Sequence, residues 1–204
     1  NCKLILIACN SASAVAYELV KEYVGRKAIV MDVINPMIDY LAKNYIDKTI
    51  GLIGTKQTVN SNIYRKKLDE LGINIRLNTL ATPLLVPLIE EGFADQAIMT
   101  DEIKSYLSES SLHNLDALVL ACTHYPLIKQ PIKQFFKNKT VIIDSTDIVA
   151  EVVKNLLIAR DLLSSPSSLS KKKFYVSDYT PAFSALTRLF FKMPILLERY
   201  PLWE

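Results

Sequence analysis

The sequence predicts an α/β chain built on mostly parallel sheets. Three observations lead there. Short strands that are apolar throughout alternate with helical stretches, each strand ends in a polar turn, and each turn opens the next helix. Strands without polar alternation belong to sheets covered on both faces. The 204 residues are half apolar and 22% charged, which excludes a disordered, collagenous or coiled-coil chain.

The elements follow in order. Residues 4–8 are a buried strand ending in Cys9-Asn10-Ser11. Residues 12–24 carry Val15, Leu19, Val20 and Tyr23 at helical spacing, with Gly25 as a stop. Residues 49–53 form a second strand. The turn Gly54-Thr55-Lys56-Gln57-Thr58 follows, then a helix to about Glu70 with Gly72 after it. A short strand over 74–80 and helices over 87–91 and 98–108 come next. Residues 117–121 are a third apolar strand, followed by Cys122-Thr123-His124-Tyr125-Pro126 and a helix over 127–136. Residues 140–143 are a fourth strand, then Asp144-Ser145-Thr146 and a helix over 147–163. The serine-rich run 164–168 reads as a surface loop and Lys171 to Lys173 as a solvated charge run. A strand over 174–176 and a helix over 183–191 complete the pattern.

Composition narrows the function. Lys and Arg number 24 and Asp and Glu 21, a net charge of +3 spread along the chain, so no basic footprint for nucleic acid is present. No apolar run approaches the ~18 residues of a membrane span. Three cysteines without a CxxC pair predict a reducing, cytoplasmic setting rather than a disulfide framework.

In open α/β sheets, ligands bind beyond the carboxyl ends of the strands. Four hydroxyl-bearing turns occupy that place, each opening a helix whose free N–H groups suit a carboxylate or phosphate. None has a P-loop or dinucleotide pattern. Two share a layout: an apolar strand, then Ala-Cys, then two polar residues, at Ala8-Cys9-Asn10-Ser11 and Ala121-Cys122-Thr123-His124. This reads as a faint internal repeat. If the two units face each other, two thiols meet across one cleft. A thiol beside a helix N-terminus is expected to be drawn towards thiolate. Opposed thiols suit stereoinversion, one taking a proton from one face of a carbon while the other returns one to the opposite face. A cysteine after an apolar strand is ordinarily a small core residue, and the matched contexts are what single these two out. Cys2 lacks that context and is read as structural. His113 is read as merely exposed. Cys9, Cys122 and His124 make poor zinc spacing.

Ala8-Cys9-Asn10-Ser11-Ala12 and Cys122-Thr123-His124-Tyr125-Pro126 resemble the two signature segments of bacterial glutamate racemase, within the aspartate/glutamate racemase group. Gly54-Thr55-Lys56-Gln57-Thr58 resembles that family's Gly-Thr-x-x-Thr turn, the segment at 85–92 its acidic segment, and Ile143-Asp144-Ser145 the strand where the chain returns to the first domain. The resemblance implies two doubly wound, mostly parallel-sheet domains related by a pseudo-two-fold axis with the site between them, here 1–33 plus 146–204 and 34–145. It implies cofactor-independent interconversion of L- and D-glutamate, supplying D-glutamate for peptidoglycan, with no metal. Carried over, Cys9 and Cys122 are the acid/base thiols, for the D- and L-glutamate protons respectively, and His124 assists Cys122. Asn10, Ser11, Thr55, Thr58 and Thr123 hold the substrate, and Glu90 sits near His124 and the substrate ammonium. For Glu90 a solvated helix-end carboxylate is an equal reading, and for Thr58 a helix cap. A homodimer is compatible with the resemblance.

The sequence departs from the family in three ways. Ser11 replaces a usual Thr, and Thr82 stands where a Cys is common. The family's opening Asp-Ser-Gly-x-Gly-Gly strand and its Pro-Tyr-Gly segment are absent from these 204 residues. The first domain is therefore expected to be incomplete, with an exposed edge beside residues 4–8, and the activity of this chain alone to be impaired. Two readings compete with a glutamate racemase. One is a related racemase for aspartate or another small carboxylate. The other is a non-catalytic carboxylate-binding module. A Cys–His hydrolase is weaker, since Cys122 and His124 share one turn.

Overall fold

The computed structural model describes residues 2–164, 171–178, 186–188 and 190–201. Most of the expected loop at 164–168 and part of the expected helix at 183–191 lie outside them. Residues 186–188, 190 and 191 are helical.

The largest sheet contains β3 (Thr49–Gly54), β4 (Arg76–Ala81), β5 (Ala117–Ala121) and β6 (Val141–Asp144), in the order β4-β3-β5-β6 and parallel throughout. Every residue of β5 is buried. Its alternate side chains feed two cores, as the period-two geometry of a strand requires. Leu118 and Leu120 join Ile53, Tyr125, Met99 and Ile132 on one face, against α5 (Leu85–Glu90), α6 (Ala97–Leu107) and α7 (Lys129–Phe135). Ala117, Val119 and Ala121 join Ile50, Leu52, Met37, Leu41 and Tyr64 on the other, against α2 (Ile34–Asn44) and α4 (Ile63–Glu70). Gly54 pairs in register with both Ala81 and Ala121, so three strands end level and their turns lie side by side.

The second region is thinner. β1 (Leu4–Ile7) pairs in parallel with β2 (Ile29–Asp32) and with no other described strand. No residue of β1 is fully buried. The helix α1 (Asn10–Val24) ends at Gly25, whose φ of 56° suits a glycine. Its apolar stripe is exposed, Val15 at 62%, Leu19 at 68% and Tyr23 at 87%. A third parallel pair joins β7 (Phe174–Val176) to β8 (Leu197–Arg199).

Several elements differ from expectation. β2, α2 and β8 are not anticipated. β2 and β8 are only four and three residues long, and α2 starts without a side-chain cap, with Pro36 in its first turn where an N–H is unpaired anyway. The single helix expected up to Glu70 is two, α3 (Lys56–Asn60) and α4, separated at Asn62 with φ 56°. Residues 125–128 are a 3₁₀ turn, so α7 starts at Lys129. The helix α8 (Ser145–Ala159) begins earlier than expected, capped by Asp144, whose side chain accepts the Thr146 N–H, and it packs on α2. Among the described residues no helix is long and apolar enough to cross a membrane.

Candidate functional site

Cys9 follows β1 directly and is the N-cap of α1, its Sγ accepting the Ala12 N–H at 3.5 Å. The thiol is exposed. Asn10, the first residue of α1, is buried at 2% exposure, and its Oδ1 accepts the Tyr64 hydroxyl at 2.7 Å. Ser11 Oγ lies 2.7 Å from Thr55 Oγ1 and 3.1 Å from Thr58 Oγ1, and those two are 3.1 Å apart. Three hydroxyls from turns 44 and 47 residues apart thus meet at one point. The cap of α3 is Thr55, which accepts the Thr58 N–H at 3.2 Å, so the capping role open to Thr58 belongs to its neighbour. A Cβ on Gly54 would stand 3.2 Å from the Ala121 carbonyl oxygen and 3.5 Å from Thr58 Cβ. The missing side chain lets this turn press against the end of β5.

Cys122 ends β5 and is buried. Burial pushes its thiol up to about 11, against the N–H groups of His124 and Tyr125, which favour the thiolate. This corrects the expectation of a ready thiolate. The α-helix does not start at this turn, and two N–H donors do not outweigh desolvation. The charge of a Cys9 thiolate also raises Cys122, so the two sulfurs share one electrostatic neighbourhood. His124 Nδ1 is 3.8 Å from Cys122 Sγ, and its Nε2 is 3.1 Å from Glu90 Oε1. Glu90, the last residue of α5, is half-exposed but turned to the imidazole. With hydrogen on Nε2 donated to Glu90, the Nδ1 lone pair faces the thiol. Thr123 lies half-buried between Cys122 and His124.

The structure therefore brings Cys122, His124 and Glu90 together, and Ser11, Thr55 and Thr58 together, with Asn10 beside Cys9. Cys2 and His113 are exposed and join neither group. Three contributors escaped the sequence. Tyr64 holds Asn10. Phe190 packs its ring edge-on to His124, with centroids 6.0 Å apart. Thr82 donates to the Gly54 carbonyl at 3.2 Å and meets the Tyr125 hydroxyl at 2.6 Å, tying the two turns. Tyr64 and Phe190 belong to no motif, Thr82 shows in sequence only as a departure from the family's common Cys, and chain-distant contacts reveal what each does. A cavity of about 600 Å³ between α2, α8 and β6 involves none of these residues.

A family model for Asp/Glu/hydantoin racemase matches residues 1–153. A glutamate racemase of Chlorobium phaeobacteroides is 36% identical over 188 residues, 92% of this chain and 69% of that protein. The crystal structure of the Francisella tularensis glutamate racemase in complex with D-glutamate superposes with a TM-score of 0.86 at 32% identity, covering 98% of this chain and 73% of that one. That of a Bacillus anthracis glutamate racemase isoform gives 0.88 at 28% identity, covering 98% and 74%. The family model, the relative's identity and the superpositions agree: the chain belongs to the Asp/Glu/hydantoin racemase family, among the glutamate racemases.

Proposed function

We propose that this protein interconverts L- and D-glutamate with two cysteine thiols and no cofactor, supplying D-glutamate for peptidoglycan. The observation that carries the reading is geometric: Ser11, two residues after Cys9, meets Thr55 and Thr58 at the end of β3, which ends level with β5, and Cys122 follows β5 directly with His124 and Glu90 beside it.

Going from L-glutamate, Cys122 as thiolate takes the Cα proton. Its raised proton affinity makes it a strong base once ionised, and His124 Nδ1 receives the proton that ionisation releases, with Glu90 stabilising the imidazolium. Negative charge then develops towards the α-carboxylate. The hydroxyls of Ser11, Thr55, Thr58 and Thr123 and the free N–H groups at the start of α1 suit that charge. Cys9 as thiol returns a proton on the opposite face. The reverse direction exchanges the roles.

The test is Cα hydrogen exchange in heavy water, followed for each enantiomer. Cys9→Ala and Cys122→Ala each reduce racemisation by about 10³-fold or more, the scale of a lost acid/base group. Full racemisation in either variant removes the two-thiol mechanism.

A further inference from the structure

Ser11 and Asn10 both tie the Cys9 turn to the larger sheet, but they do so differently. Ser11 meets a set of hydroxyls that face the site. Asn10 reaches into the core. Its Oδ1 takes the Tyr64 hydroxyl at 2.7 Å, across 54 residues, with both side chains at 3% exposure or less. Among the described residues the Asn10 amide nitrogen has no hydrogen-bond partner, although it is buried. An amide so placed is oriented from one end only, by the tyrosine. Burial, and after it the carboxylate of Asp32, push the Tyr64 hydroxyl far above its ordinary range, so it stays a donor at any working pH. Tyr64 itself is fixed, packed with Leu68, Met37, Leu41 and Ile38 in the core beneath β3 and β5.

Cys9 has no comparable support. It follows a strand with no fully buried residue, and among the described residues its side chain makes one hydrogen bond, the weak cap to Ala12. The turn carrying the first thiol is tied to its own strand by one side-chain bond, Ser13 Oγ donating to the Ile7 carbonyl at 3.0 Å, and to the larger sheet by the Ser11 hydroxyl and by one buried tyrosine through Asn10. Resting on the two-thiol reading above, we infer that Tyr64 is a positioning residue for Cys9, setting through Asn10 where that thiol stands opposite Cys122.

Tyr64→Phe removes one hydroxyl and keeps the ring. Two readouts follow. The first needs no catalysis: amide hydrogen exchange at Ala12 and Ser13, the first turn of α1, rises at least about tenfold while β5 is unchanged. Asn10→Ala produces the same rise, and the double variant exceeds neither, because both remove one bond. Unchanged exchange in this turn overturns the assignment, whether or not the protein turns over. If Tyr64→Phe does not fold, Asn10→Ala reads the same bond from its other end with the tyrosine ring seated.

The second readout separates positioning from a general loss of active protein. Cys122 can take a proton from L-glutamate, exchange it with solvent and return it to the same face without Cys9. Inversion needs both thiols. In Tyr64→Phe the ratio of deuterium entering L-glutamate to racemisation rises at least about threefold, whereas a smaller folded fraction lowers both rates together. Where the wild-type chain neither exchanges nor racemises, the amide measurement alone judges Tyr64. Wild-type protein that does both, with an unaltered ratio in Tyr64→Phe, removes the role of Tyr64.

Discussion

The two Ala-Cys turns are nearly the same in sequence and opposite in setting. Ala121-Cys122 leaves a strand buried at every position, covered by helices on both faces, and its thiol is buried too. Ala8-Cys9 leaves a strand with one neighbour among the described strands and no fully buried residue, and its thiol is exposed. Their immediate partners differ as well. Cys122 has an imidazole backed by a carboxylate, while Cys9 has a backbone N–H and a helix start. A short motif at a strand end fixes where a thiol sits in the chain. The layers over that strand decide how tightly the thiol holds its proton.

The contrast is open to measurement. The largest expected effect is on alkylation. With site-resolved mapping at pH 7, iodoacetamide modifies Cys9 about 10²-fold faster than Cys122, since only thiolate reacts and Cys122 is both buried and shifted upward. Equal rates would break the comparison.

Next comes stability against pH. The folded Cys122 thiol holds its proton up to about 11, above an unfolded cysteine. From about pH 9 the unfolded chain releases a proton that the folded one keeps, so stability falls between roughly pH 9 and 11, by about 3 kcal/mol at most. Denaturant melts of Cys122→Ala lose that component of the decline, and those of Cys9→Ala retain it.

A smaller effect attaches to Glu90→Gln. It keeps the shape but weakens the imidazolium, and kcat from L-glutamate falls about tenfold with KM nearly constant. An unchanged kcat would make Glu90 a solvated helix end after all. The smallest lies at the edge strand of the larger sheet. Burial opposes the charge of Asp144, but Lys129 and the hydroxyl and N–H of Thr146 hold its carboxyl below the usual range. Asp144→Asn costs about 1 kcal/mol at pH 7. The difference from wild type shrinks as pH falls through the carboxylate range, because the stabilising form is the charged one.

Much of the larger region was legible. Three of its four strands are largely apolar runs, β4 with Arg76, Asn78 and Thr79 being the exception, and the polar ends of β3 and β5 carry candidate residues. Cys122, His124, Thr55 and Thr58 stand out at those ends, and Cys9 and Ser11 at the matching end of β1 in the second region. What was hidden has physical causes. β2 and β8 are too short to show a period, and Pro36 disguises the start of α2. Tyr64 and Phe190 carry no signal of their own, because their roles consist of contacts with residues 54 and 66 positions away.

By itself the sequence determined the alternation of strands and helices, the position of each polar turn and the chemistry available there. Those depend on local apolar pattern and residue type. The tertiary structure alone decided that three strands end level, that Ser11 meets Thr55 and Thr58, and that Glu90 reaches His124. It also decided that one thiol is buried and the other open, because burial is a property of what packs over a residue and not of its neighbours in the chain.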